Sequence, residues 1–129
     1  MATHNARQKS REVAHPRRGD IYLVHFDPTL GAEIKKTRPA LIIQNDIGNQ
    51  YSPITIVAAI TSKFSEPPYP TEVVMEPTES GLSLRSAAVL NQIRSVDRQR
   101  LGRRLGHAGP KTMDRVDNAI QISLGLIKI

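Results

Sequence analysis

The sequence predicts an α+β domain in which a strongly bent antiparallel sheet comes first and a single helix last. Two patterns carry that expectation. Short runs of β-branched and aromatic residues, punctuated by turn formers, fill the chain as far as residue 106. Beyond Gly109-Pro110 the period changes, and Met113, Val116, Ile120, Leu124 and Ile127 recur at spacings of three or four, the apolar stripe of an amphipathic helix. Strands grouped first and a helix last give segregated layers rather than a parallel α/β alternation.

The elements follow in order. Residues 1–17 hold four basic side chains (Arg7, Lys9, Arg11 and Arg17) with little apolar periodicity and read as a disordered basic arm, leaving 18–129 as the domain. Residues 21–26 (Ile-Tyr-Leu-Val-His-Phe) are β-formers in a run too short for a globular helix, so they form a strand. His25 within it reads as a structural hydrogen-bonder. A polar loop follows, and residues 39–44 make a continuously apolar, buried second strand. Asn45-Asp46-Ile47-Gly48-Asn49 is a string of turn formers. Residues 54–61 give the strongest strand signal and end on Thr61-Ser62. Pro67, Pro68 and Pro70 stiffen a surface loop that flanks a groove. Residues 71–76 form a strand with Val73 and Met75 on one face, and 77–81 a turn. Residues 87–96 are one long strand or a pair broken near Asn91. Residues 97–100 make one helical turn, and 101–106 a basic edge strand, where arginine discourages edge-to-edge pairing. Proline suits the first position of the closing helix, which frays near Gly125.

The totals bound the function. A chain of 129 residues fits one domain and can bury about two thirds of its unfolded surface. Absence of cysteine excludes disulfides and thiolate metal sites and fits a reducing compartment. No apolar run approaches the ~18 residues of a membrane-spanning helix, and the first residues lack an export signal, so the expected location is the cytoplasm, away from membrane. The net charge of +6 is uneven: residues 1–18 hold five basic side chains against Glu12, and the remainder 13 basic against 11 acidic. A nearly balanced folded part must bind any polyanion through local patches. Three Tyr, two Phe and no Trp argue against a base-stacking sheet.

The polar loop ends at Arg38-Pro39. Proline biases the preceding residue to extended backbone, so the guanidinium stands on stiff backbone at a loop–strand junction. On residue types alone, a solvated hairpin tip and an anion-binding site stand level. No G-x-x-x-x-G-K-[ST], H-E-x-x-H or G-x-S-x-G motif occurs, and the four histidines lack metal-ligand spacing. No metal or other cofactor is expected.

Gly19-Asp20-Ile21, Phe26-Asp27-Pro28-Thr29-x-Gly31-x-Glu33, Thr37-Arg38-Pro39-Ala40, Ile43-Gln44-Asn45-Asp46, Val57-Ala58-Ala59-Ile60-Thr61, Gln92-Ile93-Arg94 and Gln121-Ile122-Ser123-Leu124-Gly125 stand in this order over nearly all of 18–127. Together they resemble the MazF/PemK toxins. The resemblance implies an SH3-like barrel that dimerises, is neutralised by an acidic MazE-like antitoxin, and cleaves single-stranded RNA at short sequences without a metal. It implies catalysis by Arg38 and Thr61, and an RNA groove lined by Glu33, Gln92 and the loop before Arg38. Gly31, Lys35 and Lys36 lie in that loop, and Arg94 stands beside Gln92 as a further substrate contact. Lys35-Lys36 replaces glycines common in relatives, and an acidic residue common at the Asn91 position is missing. Metal-free cleavage uses the 2′-hydroxyl as nucleophile, so fixed donors facing a dianionic phosphorus are the main requirement. Arginine offers a planar fork for phosphate oxygens, and threonine a hydroxyl donor. Two other classes are compatible with this fold. One is a non-catalytic toxin that poisons a DNA topoisomerase, which relies on a C-terminal tryptophan that this chain lacks. The other is a nucleic-acid-binding regulatory module.

Overall fold

The structure, a computed structural model, describes residues 15–26 and 37–129. The arm residues 1–14 and the loop positions Gly31, Glu33, Lys35 and Lys36 lie outside the described residues. At the last positions expected for the arm, Pro16 is fully buried. There the Arg17 N–H donates to the Asp20 carboxylate and its carbonyl accepts from the Asp20 N–H, both at 2.9 Å.

Six strands form one antiparallel sheet: β1 (Asp20–His25), β2 (Thr37–Ile42), β3 (Ile54–Thr61), β4 (Glu72–Met75), β5 (Ser86–Asp97) and β6 (Leu101–His107). Their order is β4-β5-β3-β2-β1-β6, so the most apolar strand sits near the middle and the basic β6 on an edge, as expected. The expected bend is visible in β5. Ala58 pairs with Ile93, but the next residue, Ala59, pairs with Val89. Extra residues around Asn91 form a bulge, which bends the strand and increases its twist. One long strand and a break near Asn91 are therefore the same object.

Alternation along β1, β2 and β3 sends side chains into two cores. Ile21, Leu41, Ala58 and Leu90 meet Val116 and Ala119 of the closing helix, whose range is Pro110–Ser123. On the opposite face Tyr22, Val24, Ala40, Ile42, Val57 and Val96 pack together, with Phe26 and Leu101 against them. Strands buried on both faces read as continuous apolar runs rather than alternating ones. That is why residues 40–43 and 56–60 carry so few polar groups.

Four expectations need correction. The turn formers at 45–49 build a short helix, α1 (Asp46–Tyr51). Asn45 caps it by accepting the Gly48 N–H at 2.7 Å, the usual role of asparagine at that position. Residues 77–81 form one helical turn, α2 (Pro77–Ser80), closed by Gly81 at φ +76°. The second strand starts at Thr37, with Pro39 inside it opposite Leu23. Because β3 pairs with β2 only from Ala40 onward, Pro39 lies on a locally free edge, where a missing N–H is tolerated. The stripe of the last helix, α3 (Pro110–Ser123), stops packing at Ile120. Gly125 at φ +76° ends the helix, and Leu124 and Ile127 are left 62% and 40% exposed.

Candidate active site

The β2–β3 register brings the two candidate catalytic residues together. Ala40 pairs with Ala59, and Arg38 and Thr61 each lie two residues beyond that last pair on their own strand. Both line a cleft of about 310 Å³, with Pro39, Lys63, Leu84 and Ser86 among its other walls. Arg38 is exposed and its backbone pairs with Val24 of β1, so the guanidinium projects from a strand fixed on its inner side. The Thr61 hydroxyl accepts the Lys63 N–H at 3.0 Å and lies 3.3 Å from the Lys63 carbonyl. Such side-chain-to-backbone turns are typical of hydroxyl residues where a strand ends.

The outer wall is pinned by Arg85. Its guanidinium bonds Glu76 at 2.9 Å, pairs with Glu66, and lies 5.6 Å from the centroid of the Phe64 ring. The hydrogen bonds to Glu76 and Glu66 raise the Arg85 pKa above its ordinary value. Exposed pairs of this kind add little stability. Their effect here is to join the proline-rich loop to the approach to β5.

Charge rather than size distinguishes this cleft. A larger hollow of about 510 Å³ between β4 and α3 carries Glu72 and Asp114 beside Arg85 and Arg115. Another, of about 570 Å³, sets Asp97 beside Arg98. Among the described residues, the Arg38 cleft is lined by two cations, Arg38 and Lys63, and by no carboxylate. Such a concavity suits an anion with oxygen atoms to be bonded.

The other candidate residues stand elsewhere. Gln92 is exposed at the bulge of β5. Arg94 lies opposite Val57, with its guanidinium 5.0 Å from the centroid of the Phe26 ring. Neither lines the cleft. The ends of the segment that carries Gly31, Glu33, Lys35 and Lys36 are Phe26, under Arg94, and Thr37, beside Arg38. His25 Nδ1 is 2.9 Å from the Thr37 hydroxyl across the β1–β2 pair, the structural role expected of it. Among the described residues, no group of three or more His, Asp or Glu could hold a metal ion.

Sequence reasoning missed two features. Lys63 gave no signal beyond following Thr61 by two residues. Asp20, only 4% exposed, is a structural hub that accepts from Arg104 Nε at 3.1 Å and lies 2.8 Å from His107 Nδ1. Buried carboxylates require such partners, but these are far away in sequence.

Residues 17–124 match the family model described as PemK-like, MazF-like toxin of type II toxin-antitoxin system. The chain is 45% identical over 111 residues to Endoribonuclease EndoA of Bacillus subtilis (strain 168), covering 86% of this chain and 96% of that protein. It is 47% identical over 110 residues to Endoribonuclease MazF of Staphylococcus saprophyticus, covering 85% and 92%. Among solved structures it resembles a mycobacterial endoribonuclease in complex with its cognate antitoxin, at a TM-score of 0.72 and 26% identity, over 88% of this chain and 99% of the other.

Proposed function

The chain belongs to the PemK-like, MazF-like toxins of type II toxin–antitoxin systems and is an endoribonuclease; from that premise we propose that it cuts single-stranded RNA in the cleft between Arg38 and Thr61. The supporting observation is the lining of that cleft, which among the described residues offers two cations and the Thr61 hydroxyl and no carboxylate to repel phosphate. The RNA's own 2′-oxygen attacks the adjacent phosphorus and loses its proton. The bond from phosphorus to the 5′-oxygen breaks, and that oxygen takes up a proton. The products are a 2′,3′-cyclic phosphate, or the 3′-phosphate it hydrolyses to, and a 5′-hydroxyl. A guanidinium remains charged at neutral pH, so Arg38 stabilises the developing charge on the phosphorane oxygens. Thr61 donates its hydroxyl to one of them. The chemistry requires no metal.

The partners follow from the same membership. An acidic MazE-like antitoxin neutralises the toxin, a partner supported by the mycobacterial endoribonuclease solved in complex with its cognate antitoxin. The toxin works as a homodimer in the cytoplasm, where its RNA substrate is found. No helix among the described residues is long and apolar enough to cross a membrane. Glu33, Gln92, Arg94 and the loop carrying Gly31, Lys35 and Lys36 contact the bases and phosphates on either side of the cut.

The test uses a long mixed RNA incubated with the protein in EDTA, with new 5′ ends mapped to find the recognised sequence. A matched substrate carrying one 2′-deoxy nucleotide on the 5′ side of the cut should bind normally and resist cleavage. If it is cut as fast as the all-RNA substrate, water is the attacking group and the mechanism fails.

A further inference from the structure

Lys63 is a cation in the cleft that the reaction above does not use. It shares the cleft with Arg38 and Thr61 and is exposed, yet it makes no ion pair among the described residues. Glu66, three residues further on, would be an obvious partner for it. That carboxylate is instead taken by Arg85, which also holds Glu76. The same arrangement that pins the outer wall thus leaves the Lys63 ammonium without an ion-pair partner among the described residues. Its position is set as well, because its backbone N–H donates to the Thr61 hydroxyl at 3.0 Å. The lysine stem therefore starts from the residue turn that fixes the candidate catalytic hydroxyl.

An RNA strand carries one phosphate per nucleotide, so a strand whose scissile phosphate meets Arg38 brings neighbouring phosphates to the rim. The Arg38 fork matches the oxygens of one phosphate. Lysine binds phosphate differently, as a compact charge on a flexible four-carbon stem. We propose that Lys63 forms a second phosphate subsite, which holds a phosphate next to the scissile one in single-stranded RNA. The inference rests on the reading of the cleft as the RNA site. It assigns Lys63 to binding of the ground state, with a charge that is the same before and during the reaction. Uniform binding of this sort lowers KM and leaves kcat alone.

The experiment measures binding of a single-stranded 2′-O-methyl RNA, which cannot undergo 2′-hydroxyl attack, across a range of salt in EDTA. Wild type, Lys63→Gln and Lys63→Arg are compared, with thermal unfolding to confirm that each variant folds. Loss of one phosphate contact should make the slope of log K against log salt shallower by about 0.7. Lys63→Gln should show that change, Lys63→Arg should keep the wild-type slope, and on cleavable RNA Lys63→Gln should raise KM several-fold at unchanged kcat. An unchanged slope in Lys63→Gln overturns the subsite, as does a wild type that fails to bind the RNA. A fall in kcat at constant KM also overturns it, because it would place Lys63 on the reacting phosphate. A wild type that binds with the expected slopes but never cleaves all-RNA substrate would defeat the endoribonuclease reading and leave the subsite standing.

Discussion

At the scale of single residues, the site depends on where charge is fixed rather than on how much there is. Arg38 stands on a strand whose neighbour β1 is packed through Val24, which is fully buried. Arg38→Ala removes an exposed guanidinium and opens no cavity in either core. Loss of one preorganised charge stabiliser typically costs two to three powers of ten in rate. Arg38→Ala and Thr61→Ala are each expected to lose roughly that much cleavage with their thermal unfolding unchanged, and Thr61→Ser to keep most of the activity. Full activity in purified Arg38→Ala would place the chemistry elsewhere. Tyr22 shows the opposite case, a titratable group set chiefly by burial. At 8% exposure its phenol is desolvated, and Asp20 adds a repelling charge, so its pKa lies above the ordinary tyrosine value. The neutral form is favoured in the fold. The stabilisation is complete below the unfolded value near pH ~10 and disappears as pH rises through the higher folded one. Urea midpoints should therefore fall on the alkaline side, and Tyr22→Phe should flatten that fall. Of these residues, Arg38 and Thr61 were legible as candidates in the sequence because their flanking motifs resemble a family. Lys63 and Asp20 were not, since their significance comes from partners brought near only by folding.

At the scale of elements, most strands were legible and most connections were not. Apolar runs mark β3 unambiguously because it is buried on both faces. Asn45 and Gly48 favour a turn locally, yet Asn49, fully buried, donates to the Gln44 carbonyl at 2.9 Å and accepts from Thr55 at 2.7 Å. Those tertiary bonds hold the segment as a helix, against its composition. The same holds for α2, which joins the two unpaired ends of the open sheet. A Cβ on Gly81 would lie 1.8 Å from the Leu105 carbonyl oxygen, and one on Gly106 2.4 Å from that of Glu79. Both contacts are with backbone, so neither neighbour can yield by changing a rotamer. Gly81 also has φ +76°, a region unfavourable to side chains. Strain of this kind costs about 1–3 kcal/mol before any clash is counted. Gly81→Ala should therefore lower the unfolding free energy from denaturant titration by at least that much, whereas Gly125→Ala, with nothing within 4 Å, should bear the backbone cost alone. Equal losses at the two positions would show that α2 does not close the sheet.

At the scale of the whole molecule, composition predicts a weak general field and the structure supplies a local one. Past residue 18 the excess of basic over acidic side chains is small, 13 against 11, so long-range steering of RNA is modest at physiological salt, where the Debye length is about 8 Å. Within the cleft the balance differs, because the described lining has Arg38 and Lys63 without a carboxylate, while Arg85 engages Glu66 and Glu76 on the wall beside it. An acidic antitoxin segment presents carboxylates to the same cations that meet phosphate. Disordered acidic segments fold as they bind and can cover long surfaces, so the segment and an RNA strand should compete for this cleft. With the 2′-O-methyl RNA as the labelled probe, an acidic peptide from the cognate antitoxin should displace it completely, and raising the RNA concentration should shift the displacement midpoint in proportion. Arg38→Ala should weaken both ligands, since each uses the same guanidinium. Ternary complexes with neither affinity reduced would mean that the antitoxin acts on another face, and that inhibition reaches the cleft through a change in the fold rather than by occupying it.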